Sequence, residues 1–251
     1  MSEDSRAQSE LLGFLLIFGV VVLTIALLGT TGFVGLDNAQ DYQRTANAEG
    51  AFTAFAGNLD DVIRGETPGR STEIRIADAS LSLREESSDI DVSVDGERLD
   101  LEGGNQTGAI VYDSGSNTTI TYRGGALLRR DGGSSVMFRE PDFVITDREV
   151  ILPVVRLSPE QAGEIGGTSN VEVWTRHEET TVVAETEPVN DNVTISLGTP
   201  HVDAWTRYFE ALEGEGPVRN VDPDFDGNSV EVEIETERLS VVVDRVSVTF
   251  R

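Results

Sequence analysis

Apolar residues are arranged in three successive ways along this chain. From Leu11 to Leu28 they are unbroken, LLGFLLIFGVVVLTIALL, eighteen residues without a charge, and the uncharged stretch runs on to Leu36. At about 1.5 Å of rise per residue, a helix of some 20 residues crosses a hydrocarbon core of about 30 Å. Residues 8–35 are therefore expected to form a transmembrane or assembly helix. Between 36 and 64, Leu36, Ala39, Tyr42, Ala46, Phe52, Phe55, Leu59, Val62 and Ile63 recur mostly at three- and four-residue steps. That spacing predicts an amphipathic helix over 36–65 that continues the first, is weakened near Gly29 to Gly35, and ends at Gly65 before Pro68-Gly69.

After Arg70 the pattern alternates. Strands are predicted at 72–78, 80–85, 89–94, 98–102, 109–113, 118–123, 126–130, 135–139, 150–157, 171–176, 181–186, 193–197, 230–237 and 239–250. Asp95-Gly96, Gly115-Ser116-Asn117, Asp131-Gly132 and Asp226-Gly227 supply the turns between them. Only 201–213, HVDAWTRYFEALE, interrupts the strands with helical spacing. The fold class expected is α+β: a long N-terminal helix, then a mainly antiparallel, sandwich- or barrel-like head over 71–251 with one short helix.

Charge narrows the partners. Asp and Glu number 45 against 19 basic residues, all of them Arg, for a formal net charge of -26. Such a chain is repelled by nucleic acid and by anionic headgroups, and its self-repulsion calls for screening by salt. With no cysteine there is no disulfide framework and no thiolate chemistry. The absence of Lys and Cys, the few aromatics and the abundant Asp and Glu resemble the proteins of extreme halophiles, haloarchaea in particular.

The residues ahead of the apolar run are specific. Arg6-Ala7-Gln8-Ser9-Glu10-Leu11-Leu12-Gly13 resembles the class III leader junction of archaeal pilins and archaellins, with Glu10 where many haloarchaeal pilins have proline. The resemblance implies that a prepilin-type peptidase cuts between Ala7 and Gln8, so that 1–7 is a leader and the apolar helix stays on the mature protein. Arg6 and the short tail ahead of the run predict an N-terminus inside and a head outside, and the resemblance implies contacts with the membrane and with like or related pilin subunits. In a filament of such helices a buried carboxylate needs a partner, and the new α-amino group of a neighbour's Gln8 could pair with Glu10. Glu10 lying idle at headgroup level is the plain alternative, as is a simple juxtamembrane stalk for 36–65.

The head carries its own resemblance. Tyr122-Arg123-Gly124-Gly125-Ala126, Pro141, Leu152-Pro153-Val154-Val155 and Ala204-Trp205-x-x-Tyr208-Phe209 are similar to a group of haloarchaeal membrane-anchored, pilin-like proteins. That likeness implies location and architecture rather than an activity.

Candidate chemistry is sparse. Sequons begin at Asn105, Asn117 and Asn192, all in or beside polar loops where a glycan could be attached. Asp222, Asp224 and Asp226, followed by Gly227 and by Glu233 at the twelfth position, match the ligand spacing of a calcium loop. The flanks read as strand, and Glu231, Glu233 and Glu235 alternating with Val230, Val232 and Ile234 fit a wet hairpin face equally well. No other cofactor is indicated. His177 and His201 stand apart in sequence and are expected at the surface or a helix boundary, while Trp174 and Trp205 are expected as core or sheet-face anchors. Without a nucleophile elbow, P-loop or dinucleotide fingerprint, no enzyme is expected. The expected function is a pilin-like surface subunit, minor or accessory because its head is large. The alternative is a non-polymerising single-pass surface protein whose head binds a partner protein or glycan.

Overall fold

The computed structural model describes residues 4–84, 89–101, 103–160, 163–186, 188–189, 192–213 and 216–251; within the first helix, side chains are described at 13–25 and from 39 onward. Its elements are α1 (Asp4–Ile63), β1 (Gly69–Arg84), β2 (Ile90–Val94), β3 (Glu97–Arg98), β4 (Ala109–Asp113), β5 (Thr118–Arg123), β6 (Ala126–Asp131), β7 (Ser134–Arg139), β8 (Val144–Ile145), β9 (Val150–Pro159), β10 (Glu164–Thr186), β11 (Val193–Gly198), α2 (Val202–Glu210), β12 (Val218–Asp224), β13 (Ser229–Ile234) and β14 (Leu239–Phe250). Two compact units follow, residues 1–46 and 47–251.

In the first unit the helix is continuous through Gly29 to Gly35, where the glycines raised the expectation of weakening. The backbone hydrogen-bond ladder tolerates isolated glycines at modest cost, about 1 kcal/mol each. Phe14 and Phe18, one turn apart, stack with ring centroids 6.1 Å apart. Among the described residues no helix is long and apolar enough to cross a membrane. The described side chains cover 13–25 of the apolar run Leu11 to Leu28.

The second unit takes in the last turns of α1 together with all the strands. Ala48, Phe52, Phe55, Ala56, Leu59 and Val62 form the buried stripe of the helix. Each large side chain among them contributes about 1.5–3 kcal/mol by leaving water. The stripe starts later than its sequence spacing suggested: Tyr42 is 78% exposed, and Ala39 and Ala46 are exposed too. No sheet lies under them in their own unit. The helix stops in a Schellman arrangement, Glu66 N–H to Asp61 O at 2.9 Å and Gly65 N–H to Val62 O at 3.2 Å, with Gly65 at φ 75°.

Two open sheets make the rest, so the sandwich expectation holds and the barrel does not. The larger has nine strands in the order β7-β6-β5-β4-β1-β10-β14-β9-β8; the smaller has five, β12-β13-β11-β2-β3. All named pairings are antiparallel except β14 with β9. One face of the large sheet packs on the helix stripe through Ile74, Ile76, Leu81, Ile110, Tyr112, Ile120, Tyr122, Val173 and Val246. Its other face packs on the small sheet through Leu128, Leu152, Val154, Val241 and Val243 against Val92, Ile195, Val230 and Val232.

The expected strands 72–78 and 80–85 are one strand, β1, with a register shift between Ala77 and Ala79 and Asp78 at φ 52°. That extra residue keeps Ile74 and Ile76 on the same face as Ala79 and Leu81, as a β-bulge does. Likewise β10 joins the expected strands 171–176 and 181–186, absorbing two further register shifts. The strand expected at 98–102 is only the pair Glu97–Arg98, and β12, over Val218–Asp224, was not expected at all. Polar residues alternate irregularly there, and only pairing with β13 makes it a strand.

Candidate functional site

The face of the large sheet opposite the helix is only partly covered by the small sheet. At its far end, register lines up three rungs across β1, β4, β5 and β6. They read Arg84, Ala109, Arg123, Ala126; then Ser82, Val111, Thr121, Leu128; then Ser80, Asp113, Thr119, Arg130. An alanine stands beside each arginine of the first rung and leaves room for its side chain. The loop Gly198–His201, which leads from β11 into α2, closes this end. Its Gly198 carbonyl accepts from Arg123 Nη1 at 3.4 Å, and its Pro200 carbonyl accepts from Arg130 Nη1 at 3.3 Å. Between them lies a cavity of about 390 Å³ lined by Arg84, Val111, Asp113, Asn117, Thr119, Thr121, Arg123, Arg130, Gly132, Pro200 and His201.

Its charge runs against that of the chain. Three arginines and one aspartate line it, in a protein of net charge -26. Asp89 acts on Arg123 from one side, and the other nearby carboxylates hold hydrogen bonds of their own. Asp113 accepts the Gly115 N–H at 2.9 Å, Asp131 accepts from Thr118 Oγ1 and Arg129 Nε at 2.8 Å, and Asp203 accepts the Ser135 N–H at 2.8 Å. Among the described residues neither Arg84 nor Arg130 forms an ion pair; Arg130 donates to the carbonyls of Gly132 and Pro200.

Burial and like charge set the protonation of the floor. Arg123 is 4% exposed, and desolvation together with repulsion from Arg84 lowers its pKa to about 10. The guanidinium remains charged at neutral pH, with the Asp89 carboxylate offsetting part of the repulsion from Arg84. His201 is 2% exposed, and burial, then Arg123 and Arg130, push its pKa down to about 4 against the opposing pull of Asp203. It is neutral at pH 7, with Nδ1 2.9 Å from Ser135 Oγ. Beyond Arg123 a second, smaller space of about 20 Å³ is lined by Phe143, Pro153, Leu197 and Trp205, enough for one water-sized molecule. The buried Trp205 Nε1–H, which has no hydrogen-bond partner among the described residues, belongs to that wall.

The model of a family of unknown function, DUF7289, matches residues 6–249. The chain belongs to that family. No curated protein and no solved structure matches it. The family match runs from the first turn of α1 through β14, so helix and head belong to one DUF7289 architecture.

The residues singled out in the sequence are scattered. Arg6, Ala7, Gln8 and Glu10 have helical backbone, and their side chains lie outside the described residues; Gly13 sits in the helix with open space where a Cβ would be. Among the sequons, Asn117 is exposed, at φ 79° in the β4–β5 turn and on the cavity wall. Asn105 spends its amide on Asp91 Oδ1 at 3.2 Å, and its sequon partner Thr107 is 4% exposed. Asn192 is half-buried, with its carbonyl accepting from Asp95 N–H at 3.0 Å.

The calcium spacing does not become a calcium loop. Asp222 and Asp224 lie on β12 and Glu233 on β13, paired with Asn220 and Thr194, so Glu233 is four residues along the ladder from the rung that joins Asp224 to Ser229. At about 3.4 Å per residue this holds it well over 10 Å from the hairpin tip. The Asp224 carboxylate instead accepts the N–H groups of Asp226 and Gly227 at 3.1 and 2.8 Å and shapes the turn. Among the described residues no group of three or more Asp, Glu or His side chains is gathered to hold a metal.

Of the two positions expected of His201, the surface or a helix boundary, it takes the second and is buried there. Its carbonyl accepts from Ala204 and Trp205 at 3.1 and 3.2 Å, and the β7 strand covers its ring. Trp205 is buried against Phe143 and Phe209, and Trp174 is a half-exposed sheet-face residue with Arg251 5.1 Å above its ring. None of the three cavity arginines was expected as a site residue; Arg123 stood out only as part of the Tyr122–Ala126 motif. The signal lay in TTITYR: Thr119, Thr121 and Arg123 alternate with Ile120 and Tyr122 and read as a wet face, yet Thr121 and Arg123 are buried.

Proposed function

We propose that this DUF7289 chain is a pilin-like cell-surface structural subunit, a minor or accessory component of a type IV pilus-like filament. It is anchored and assembled through its N-terminal helix, with 1–7 removed as a leader and the β-rich head outside. One observation carries the reading. Phe14, Leu15, Leu16, Ile17 and Phe18 are 55–67% exposed in the single chain, and Val20, Val21, Val22, Leu23 and Ile25 are exposed with them. Consecutive residues at 100° steps point in every direction around a helix, so this is an apolar girdle rather than a stripe. Water does not tolerate such a girdle. Lipid covers it before assembly, and the helices of neighbouring subunits cover it in a filament. The docked stripe from Ala48 to Val62 supports a head carried on the end of the same helix.

Mass spectrometry of the mature N-terminus, on membrane and sheared-surface fractions, tests this reading. Gln8 as first residue in the sheared fraction is the expected result; an intact Met1 or Ser2 overturns it. The arginine-lined cavity favours a second reading, a non-polymerising surface protein whose head binds a ligand or partner. Gln8 as first residue in a protein found only with membranes would select that one.

A further inference from the structure

We propose that the arginine-lined cavity between the large sheet and the Gly198–His201 loop binds an acidic sugar, a hexose unit carrying a carboxylate. Three observations combine. Guanidinium groups on two different rungs, Arg84 and Arg123 on one and Arg130 on another, converge on one cavity, and a planar fork is the side chain best matched to a carboxylate. The space, about 390 Å³, falls in the range of small-molecule pockets and far exceeds a bare inorganic anion, so the ligand has a body as well as a charge. Between the arginines the wall offers the hydroxyls of Thr119 and Thr121, groups that both donate and accept and so suit a polyhydroxylated ring.

Electrostatics and protonation agree with that occupant. A positive cavity set in an acidic surface draws anions out of solution into one place. Burial first, and then repulsion from Arg84, lower the Arg123 pKa while Asp89 opposes them; a carboxylate between Arg84 and Arg123 relieves the repulsion that remains. His201 stays neutral and adds a polar wall without a fourth charge. The Gly198 and Pro200 carbonyls hold the arginines in place while leaving them their charge. This inference rests on the head alone and stands whether or not the helix polymerises.

The test is calorimetric titration of the full chain in detergent with glucuronate, glucose and sulfate at one fixed salt concentration. Glucuronate is expected to bind, glucose not measurably, and sulfate more weakly than glucuronate. Arg84→Gln and Arg130→Gln are each expected to weaken glucuronate by roughly ten- to a hundred-fold, the loss of one charge-assisted contact. Both positions are partly solvated, so unchanged circular dichroism and thermal midpoint serve to separate lost binding from lost fold. No binding of glucuronate by the wild-type chain overturns the proposal, as does binding untouched in folded Arg84→Gln and Arg130→Gln. Sulfate binding as tightly as glucuronate overturns the sugar assignment. The N-terminus of the mature protein has no bearing on any of these results.

Discussion

The ring of Phe55 on α1 meets the ring of Tyr122 on β5 edge-on, with centroids 5.4 Å apart and planes at 83°. Tyr122 is followed directly by Arg123, whose side chain points to the opposite face of the same strand and into the cavity. Burial pushes the Tyr122 hydroxyl well above its usual pKa, with Asp60 adding to the shift. Helix docking and the cavity floor therefore share one strand.

Phe55→Ala is expected to destabilise the head by about 3–5 kcal/mol, the usual loss for a fully buried phenylalanine. Phe55→Leu should lose clearly less. Chemical denaturation of the full chain in detergent measures both. A loss under about 1 kcal/mol for the alanine variant would mean the helix stripe is not docked as described.

Two glycines separate backbone strain from collision. Gly65, at φ 75°, has open space where a Cβ would go, so Gly65→Ala is expected to lose about 1–2 kcal/mol, the penalty of the left-handed region alone. Gly108, at φ 70°, would place its Cβ 2.7 Å from the Leu157 carbonyl oxygen, which is backbone and cannot rotate away. Gly108→Ala should therefore lose substantially more in the same unfolding assay. Equal losses would contradict the close approach of the loop before β4 to β9.

His201 makes stability depend on pH in a defined window. Its folded pKa, about 4, lies below the roughly 6.5 of an unfolded histidine. Between those values the unfolded chain binds the proton more readily, so this contribution is complete above about pH 6.5 and is lost as pH falls toward 4. Comparison with His201→Gln cancels the shared carboxylate titrations. The wild-type chain should lose up to about 3 kcal/mol more than the variant between pH 7 and 4. Parallel curves would show that the ring is not held neutral.

Salt should stabilise the chain. Its net charge of -26 is repulsive at low ionic strength, and the Debye length shrinks from about 10 Å at 0.1 M to about 3 Å at 1 M. The thermal midpoint is expected to rise across that range. Pairs such as Asp60 with Arg139 and Glu49 with Arg129, partly buried between helix and sheet, are screened less than exposed pairs such as Arg64 with Asp142. A midpoint that falls with salt would show that pairing outweighs repulsion.

Glycan occupancy should follow exposure. Asn117 is accessible, whereas Asn105 is hydrogen-bonded to Asp91 and its Thr107 is buried. Glycopeptide mapping of the native protein is expected to find sugar at Asn117 before Asn105. Sugar confined to Asn105 would contradict the packing of that loop.

Local pattern carried a good deal of this fold. The helix end at Gly65 was legible because the left-handed residue and the following Pro68-Gly69 are local signals, and the Trp205 helix was legible from its spacing. Most strands were placed for the same reason. Pairing across the sheet was not legible, because it is decided by residues far apart in sequence. Asp78 looked like a break between two strands and is a bulge within one, since β10 runs unbroken beside it. The Asp222 to Glu233 spacing looked like a ligand loop and is a hairpin, since β13 pairs on both sides.

The sequence by itself determined the apolar N-terminal run, the amphipathic stretch that follows, the alternating head and the acidic charge, because each depends on neighbours within a few residues. Tertiary structure alone decided that Arg84, Arg123 and Arg130 share a cavity. They come from three strands, and only register places them on one face. The part of the stripe that is buried, Ala48 to Val62 without Tyr42, was decided the same way, since a helix face is buried only where a sheet lies under it.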